Sequence, residues 1–324
     1  MHDVDLVVVG AGPVGLYAAY YAGFRGLRTA VVDSLPEPGG QISALYPEKM
    51  IYDVAGFPGV RGRDLVAGLR DQAEMYAPTW LLGQSACQLE RLADGRLRLT
   101  TTASEVTTRS IVIAGGIGTF SPRPLPAGTE YLGRGLDHFV TDPTQYAGHH
   151  VLVVGGGDSA VDWALTLEPL AASITLAHRR GRFTAHASSV ARLRDSSTTV
   201  LTPYVVHELS GRDAVRRAVL RHTDSGDLHE VDCSRVVAAL GFTADLGPLN
   251  GWGLRVVDRH IAVDSTMSTG VAGIYAAGDI TDYLGKVRLI SVGFGEAALA
   301  VNNAAAASDP DAALFPGHST ENAA

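Results

Sequence analysis

Residues 6–33 read LVVVGAGPVGLYAAYYAGFRGLRTAVVD. An apolar, β-rich run leads into a glycine-rich turn, and an Ala- and Tyr-rich helical segment follows before a second apolar run. In such a strand–turn–helix unit the first glycine permits the tight turn, the second lets the backbone approach a pyrophosphate, and the third packs helix against strand. The first turn of the helix then faces the phosphates. We therefore expect a dinucleotide to bind at Gly10, Gly12, Pro13, Val14 and Gly15.

The second apolar run of this stretch ends on an acid, Asp33. An acidic residue roughly 20 positions after the glycine motif can accept hydrogen bonds from a pair of ribose hydroxyls. A lone glycine motif is weak evidence. The flanking strands, the helix and the acid together make the prediction of a dinucleotide site specific.

Length and composition restrict the class of protein. The 324 residues are enough for two domains of ordinary size, and 37 glycines with 46% hydrophobic residues indicate a globular α/β protein rich in tight turns. A formal charge of −8 argues against a nucleic-acid binder, which needs a basic surface. The two cysteines, Cys87 and Cys233, form no CxxC pair and no metal-ligand pattern. We expect neither a disulfide framework nor a bound metal.

Residues 6–24 carry no charge and could be mistaken for a membrane segment. Asp3 and Asp5 stand where a signal peptide would be basic, Gly and Pro interrupt the run, and the dinucleotide motif explains it better. We expect a cytoplasmic protein with no membrane partner.

A second motif begins at Val151 with VLVVGGGDSAVDWALTL, and its next predicted strand ends in His178-Arg179-Arg180. A carboxylate would repel a ribose 2′-phosphate, whereas two guanidinium groups can bind it bidentately. The second site is therefore predicted to prefer NADPH over NADH. Its expected binding residues are Gly155, Gly157, Asp158, Ser159, Ala160, His178, Arg179 and Arg180.

Further residues near the first motif are suited to ligand binding. Gly40 permits close backbone approach, and the Gln41 amide offers both donor and acceptor. Tyr46 could stack on a flat cofactor or simply pack beneath the loop; composition leaves both open. Asp279 ends an apolar run, Gly273–Asp279, and could contact the ribitol or pyrophosphate of a dinucleotide.

Two motifs in one chain predict two dinucleotide sites, and a flavin with a nicotinamide is the simplest pair because hydride passes readily between them. The expected fold class is α/β, with two Rossmann-like, three-layer domains around central parallel sheets. The NADPH domain is inserted in the FAD domain. The FAD domain is expected to comprise residues 1–118 and 243–307, and the NADPH domain residues 119–242. Residues 308–324 are expected to form a C-terminal extension.

The order GAGPVG, GGQ, GGGDSA, HRR and YAAGD is similar to that of the low-molecular-weight thioredoxin reductases. More closely, GGQISALYPEKMIYDVAGFPGV and VGFGEAALAVNNA resemble the thioredoxin-reductase-like ferredoxin–NADP reductases of bacteria and archaea, over essentially the whole chain. One departure from true thioredoxin reductases is decisive. The redox dithiol that precedes their second motif is replaced here by His138-Phe139-Val140-Thr141, so no thiol relay is available.

The resemblance implies a homodimeric FAD protein that moves electrons between NADPH and ferredoxin or flavodoxin. The flavin is then the reactive group, and no catalytic side chain is expected. Asp33 would bind the FAD ribose, Gln41 and Tyr46 the flavin region, and Asp279 the ribitol. The resemblance further implies FAD contacts from Ala86, from Phe120, and from His318 and Thr320 of the extension.

Two other functions remain open at this level: an NAD(P)H-dependent quinone or flavin reductase or oxidase, and a non-catalytic flavin-binding redox sensor. An acidic protein acceptor would need a basic docking patch. Its candidates, if the fold brings them together, are Lys49, Arg61, Arg63, Lys286 and Arg288.

Overall fold

The computed structural model describes residues 2–318, apart from the side chains of residues 119–121 and 244. The described chain divides into two compact units. Unit 1 combines residues 2–120 with 244–318, and unit 2 comprises 121–243.

Strands outnumber helices in both units. Up to the end of unit 1's first segment the strands are β1 (His2–Asp3), β2 (Leu6–Val9), β3 (Thr29–Asp33), β4 (Met50–Ile51), β5 (Val60–Arg61), β6 (Thr79–Leu82), β7 (Ala86–Arg91), β8 (Leu97–Thr101), β9 (Glu105–Thr108) and β10 (Ser110–Ile113). The helices of this segment are α1 (Pro13–Phe24), α2 (Gln41–Leu45) and α3 (Gly62–Glu74). Strand β11 (Thr119–Pro122) then leads into unit 2.

Unit 2 holds strands β12 (Leu136–Asp137), β13 (His150–Val154), β14 (Ser173–Ala177), β15 (Thr199–Leu201), β16 (Tyr204–Ser210), β17 (Arg217–His222), β18 (Leu228–Asp232) and β19 (Arg235–Ala238). Its helices are α4 (Asp158–Leu167) and α5 (Ala187–Arg194). The chain returns through β20 (Phe242–Asp245) to β21 (Val256–Val257), β22 (His260–Ala262), β23 (Ile274–Ala276), β24 (Thr281–Asp282) and helix α6 (Ile290–Ser308). Short 3₁₀ helices occupy Thr129–Tyr131, Pro143–Tyr146 and Gly247–Gly251.

Unit 1 is built on a five-stranded parallel sheet with strand order β23-β10-β2-β3-β6. Successive residues of β2 alternate between two cores. Leu6 and Val8 pack with α1 and α6, while Val7 packs with the layer that contains β8 and β9. Because both faces are covered, the strand reads as a continuous apolar run rather than an alternating one.

Unit 2 repeats this architecture with a parallel sheet in the order β12-β19-β13-β14-β15. One face of that sheet, through Leu152 and Val154, packs on the antiparallel sheet β16-β17-β18. Each unit therefore has a central parallel sheet flanked by a second β-layer, with helices joining its parallel strands. The predicted α/β fold with Rossmann-like, three-layer units is confirmed.

Within residues 2–318 no helix combines the length and apolar character needed to cross a membrane. The uncharged run at 6–24 is divided between β2 and the 12-residue helix α1.

Helix α1 lies unusually close to the end of β2. A Cβ on Gly15 would lie 1.8 Å from the carbonyl oxygen of Gly10, a backbone atom that cannot swing away. The packing role that the sequence assigns to Gly15 is therefore what the structure shows.

Replacing Gly15 with Ala should lower the free energy of unfolding by about 2–3 kcal/mol, because overpacking against backbone forces the helix to shift. Gly68, exposed in the middle of α3 with open space around its Cα, provides the matched control. Gly68→Ala should instead raise stability by roughly 0.5–1 kcal/mol, since alanine favours the helix. Urea denaturation of both variants measures the difference, and equal effects would contradict the packing argument.

Candidate dinucleotide sites

The turn between β2 and α1 leaves one side of the backbone open. Gly10 has φ +109°, and a Cβ there would lie 2.5 Å from the carbonyl oxygen of Ala114, so only glycine fits. A Cβ on Gly12, by contrast, would meet nothing within 4 Å. Helix α1 carries no acidic residue in its first turn and begins with Pro13. Its N–H groups and dipole are thus free to receive a pyrophosphate.

Asp33 links the end of β3 to this turn. Its carboxylate accepts hydrogen bonds from the N–H groups of Ala11 and, at 2.8 Å, Leu35. Burial raises the pKa of Asp33, although these two hydrogen bonds act in the opposite direction. A carboxylate offers about four acceptor positions, so two remain for ribose hydroxyls.

The Gly39-Gly40-Gln41 loop packs directly on the glycine turn. The Gly39 N–H donates to the Ala11 carbonyl at 2.8 Å, and a Cβ on Gly40 would lie 2.9 Å from the Gly12 Cα. The Gln41 amide nitrogen approaches Gly116 so closely that a Cβ there would be 2.9 Å away. The predicted residues of the glycine turn and of the Gly39-Gly40-Gln41 loop are therefore neighbours in space.

Tyr46 and Asp279 lie within electrostatic reach of each other. Burial raises the pKa of Tyr46, and the charges of Asp279 and Asp53 raise it further. The Tyr46 ring packs against the apolar cluster that contains Leu16 and Ile42. Tyr52, which follows in the same segment, is 72% exposed.

Asp279 follows strand β23 and is only partly exposed. Burial raises the pKa of its carboxyl group, and the positive charges of Lys286 and Arg288 oppose this shift. No hydrogen bond from the described part of the chain contributes to that balance. A partly buried carboxylate without such a donor is suited to accept hydrogen bonds from the hydroxyls of a ligand.

A buried network beside Asp279 was not anticipated from the sequence. The ammonium of Lys286 pairs with the carboxylate of Glu296, and their side chains are only 2% and 4% exposed. The assignment of Lys286 to a surface docking patch is therefore wrong. The ammonium of Lys286 is paired inside the protein with a residue of α6, where no partner protein could reach its charge. Arg61 and Arg63 remain exposed, and both pair with Glu48.

The remaining residues predicted to contact FAD are less closely grouped. Ala86 begins β7, two residues after Gln84, whose N–H donates to the Asp33 carbonyl at 2.9 Å. The side chain of Phe120 and the whole of Thr320 lie outside the described residues. His318 is exposed, and its ring packs edge-on against Phe315 at 5.2 Å.

The stretch before His318 is held at the far end of α1. Arg25 caps that helix and donates hydrogen bonds to the carbonyls of Ala313 (2.9 Å) and Leu314 (3.3 Å). A 12-residue helix is about 18 Å long, so these hydrogen bonds attach the stretch before His318 to the end of α1 that lies opposite the glycine turn.

In unit 2 the second motif lines a cavity of about 580 Å³. The predicted residues that line it are Gly155, Gly157, Asp158, Ser159, His178, Arg179 and Arg180. Ala160 is fully buried behind them, close to Gly155. The start of α4 thus faces a space large enough for part of a dinucleotide.

His178 supports the turn rather than adding positive charge. A Cβ on Gly156 would lie 2.2 Å from the imidazole, and the ring stacks on Phe183 with 5.3 Å between the ring centroids. Burial and the charges of Arg179 and Arg180 lower the pKa of His178, although its hydrogen bond to the Arg182 carbonyl acts the other way. The imidazole is therefore neutral at pH 7.

Arg179 and Arg180 are both exposed and both line the cavity, as a 2′-phosphate site requires. Sequence reasoning missed Thr184, which fastens the next loop over the motif by donating its N–H to the Gly156 carbonyl at 2.8 Å. The Asp158 carboxylate accepts the His186 N–H at 2.8 Å, which directs its charge toward that loop. Arg123, which also lines the cavity, carried no local motif that could have identified it.

The chain is similar over nearly its whole length to known proteins. A ferredoxin–NADP reductase of Frankia alni is 57% identical over 315 residues, which cover 97% of this chain and 98% of that protein. A protein of the same name from Halalkalibacterium halodurans is 46% identical over 319 residues, with 98% and 97% covered. Among solved structures, the thioredoxin reductase of Lactococcus lactis superposes with a TM-score of 0.80 at 25% identity, covering 94% of this chain and 99% of that one.

The family model described as pyridine nucleotide-disulphide oxidoreductase matches residues 4–306, which include both glycine motifs and the Asp279 loop. The chain belongs to the pyridine nucleotide-disulphide oxidoreductase family.

Proposed function

We propose that this protein is a ferredoxin–NADP reductase that uses FAD to transfer electrons between NADPH and a one-electron carrier protein, ferredoxin or flavodoxin. The observation that carries the proposal is the presence of two complete dinucleotide motifs in a chain with no cysteine pair. Full-length similarity to ferredoxin–NADP reductases supports the same conclusion.

Unit 1 is assigned to FAD because strand β3, which follows the glycine turn and α1, ends in the carboxylate of Asp33. The open backbone at Gly12 would receive the pyrophosphate, Asp33 the ribose, and Asp279 the ribityl hydroxyls. Gln41 and Tyr46 are assigned to the flavin ring. Bound FAD supplies the chemistry that joins two-electron oxidation of NADPH to one-electron reduction of a carrier. The chain's own groups bind and orient it, and none needs to act as nucleophile or acid.

Unit 2 is assigned to NADPH because strand β14, which follows α4, is followed by two exposed arginines, Arg179 and Arg180. The first turn of α4 would bind the pyrophosphate, while Arg179 and Arg180 would bind the 2′-phosphate. His178 holds the turn from below and stays neutral.

The cysteines argue against a thiol acceptor. Cys233 is buried, and burial raises the pKa of its thiol to about 12, so it is not a thiolate at neutral pH. Where a dithiol would precede the second motif, Phe139 instead stacks on Phe242 at 5.4 Å. Electrons must therefore leave the flavin for an external acceptor.

The function is tested by purifying the protein with its flavin and following NADPH oxidation against ferredoxins, flavodoxins and quinones. We expect yellow protein and NADPH-dependent reduction of a ferredoxin or flavodoxin. Cys87→Ser combined with Cys233→Ala should leave kcat/KM for the carrier unchanged. Turnover with quinones alone would contradict the choice of acceptor, and colourless protein that cannot bind FAD would refute the function.

Replacing both Arg179 and Arg180 with Ala should raise KM for NADPH by roughly 10- to 100-fold, because charge-assisted hydrogen bonds to the 2′-phosphate are lost. KM for NADH, which has no 2′-phosphate, should change little. Arg192→Ala, an exposed arginine on α5 away from the cavity, serves as the matched control. Equal losses for both nucleotides would place the arginines elsewhere than at the 2′-phosphate.

The C-terminal stretch is proposed to cover the flavin of a second copy in a homodimer, since residues 313 and 314 are attached to the end of α1 opposite the glycine turn of their own chain. Deleting residues 310–324 should expose the flavin and increase NADPH oxidation with O₂ as sole acceptor. Stopped-flow oxidation and the flavin absorbance spectrum measure the effect. An unchanged spectrum and O₂ rate would rule out a covering role for these residues.

A further inference from the structure

The Lys286–Glu296 pair is the most deeply buried ion pair found within residues 2–318. Replacing a buried pair by apolar residues of similar volume is often neutral or stabilising, since desolvation offsets the attraction. Stability alone is therefore a poor explanation for keeping two charges here. The hydrogen bonds that they make to the backbone provide a better one.

Both charges act on a single residue, Gly278. The Glu296 carboxylate accepts the Gly278 N–H at 2.7 Å, and the Lys286 ammonium donates to the Gly278 carbonyl at 3.0 Å. Thr281 donates its hydroxyl to the same carbonyl at 2.8 Å. Gly278 has φ +83°, so this backbone conformation is set by glycine and then fixed on both of its polar groups.

Glu296 also ties down the loop beyond Gly278. The hydroxyl of Tyr283 donates to its carboxylate at 2.6 Å, and burial together with Glu296 raises the pKa of Tyr283 to about 12. Tyr283 therefore remains a donor throughout the neutral range. Both oxygens of the Glu296 carboxylate therefore accept hydrogen bonds from groups within residues 278–286.

Gly278 immediately precedes Asp279, whose carboxylate has no donor of its own in the described chain. The ordering of Gly278 consequently sets the direction in which Asp279 leaves strand β23. The Lys286 charge further opposes neutralisation of Asp279 in its partly buried position.

We propose that Glu296 and Lys286 are positioning residues for FAD, holding the Gly278 peptide so that the Asp279 carboxylate faces the ribityl hydroxyls. They do not touch the cofactor. This inference rests on the proposed function, because it takes Asp279 as an FAD ligand.

A double-mutant cycle between Glu296→Gln and Asp279→Asn separates positioning from a merely structural role. The dissociation constant of FAD is measured by reconstituting each purified apoprotein and following flavin fluorescence. Each single variant should bind FAD about tenfold more weakly, the expected loss of one hydrogen bond to a charged group. If Glu296 acts through Asp279, the double variant should be little weaker than either single one. Glu90→Gln, in the exposed Glu90–Arg98 pair, is the control and should bind FAD normally.

A second variant guards against loss of folding in Glu296→Gln, which leaves a buried ammonium without its counter-charge. Lys286→Met with Glu296→Met removes both charges at similar volume and should fold, yet bind FAD about tenfold more weakly. Normal FAD affinity in this folded variant, or losses that multiply in the cycle, would overturn the positioning role. Wild-type protein that binds no FAD would refute the proposed function itself. Normal affinity in Asp279→Asn, with wild-type binding intact, would overturn the inference and the assignment of Asp279 to the ribityl hydroxyls, but not the reductase function.

Discussion

Both units depend on the close approach of backbone to backbone where a parallel strand ends and a helix begins. A Cβ on Gly10 would lie 2.5 Å from the Ala114 carbonyl oxygen, and one on Gly155 would lie 2.3 Å from that of Ala239. In each case the carbonyl belongs to the residue that follows the neighbouring parallel strand, β10 or β19. Only a residue without a Cβ leaves room for that backbone. The turn is thereby fixed against the sheet, next to the N-terminus of its helix. A site of this kind needs no side chain to bind a phosphate.

The two turns solve the packing of their helices differently. Gly15 in α1 leaves no room for a Cβ, whereas the corresponding position in α4, Ala160, carries one against Gly155. A larger difference lies at the ends of β3 and β14, the strands that follow these two helices. Asp33 bonds back to its own turn through the Ala11 N–H, while the His178 ring fills the space beneath Gly156. One site is thus closed by a carboxylate and the other by a neutral ring with two exposed arginines beside it. On these local differences rests the proposal that the first site takes a ligand without a 2′-phosphate and the second site takes one that carries it.

The sequence predicted the features that depend on spacing within one strand–turn–helix unit. The strand and helix predicted within residues 6–33 appear as β2 and α1, and the apolar run that ends on Asp33 appears as β3. The features it could not predict depend on which distant segments meet. Lys286 looks like any surface lysine until α6 places Glu296 beside it, and Gln41 shows no sign of its proximity to Gly116. His178 belongs to a basic run in sequence, yet its imidazole is buried, has a lowered pKa and supports the turn at Gly156. Local pattern determines an element, but burial is decided by the elements packed around it.

The distribution of buried charge distinguishes a protein that positions a cofactor from one that reacts through its side chains. A side-chain nucleophile needs an adjacent base or a lowered pKa, whereas here burial raises the pKa of Cys233 and lowers that of His178. The buried charges at Lys286 and Glu296 are instead directed at the backbone of Gly278. Such an arrangement fixes geometry and moves no proton. It is the arrangement a flavin enzyme requires, because the cofactor brings its own reactivity and asks the protein for orientation and electrostatics.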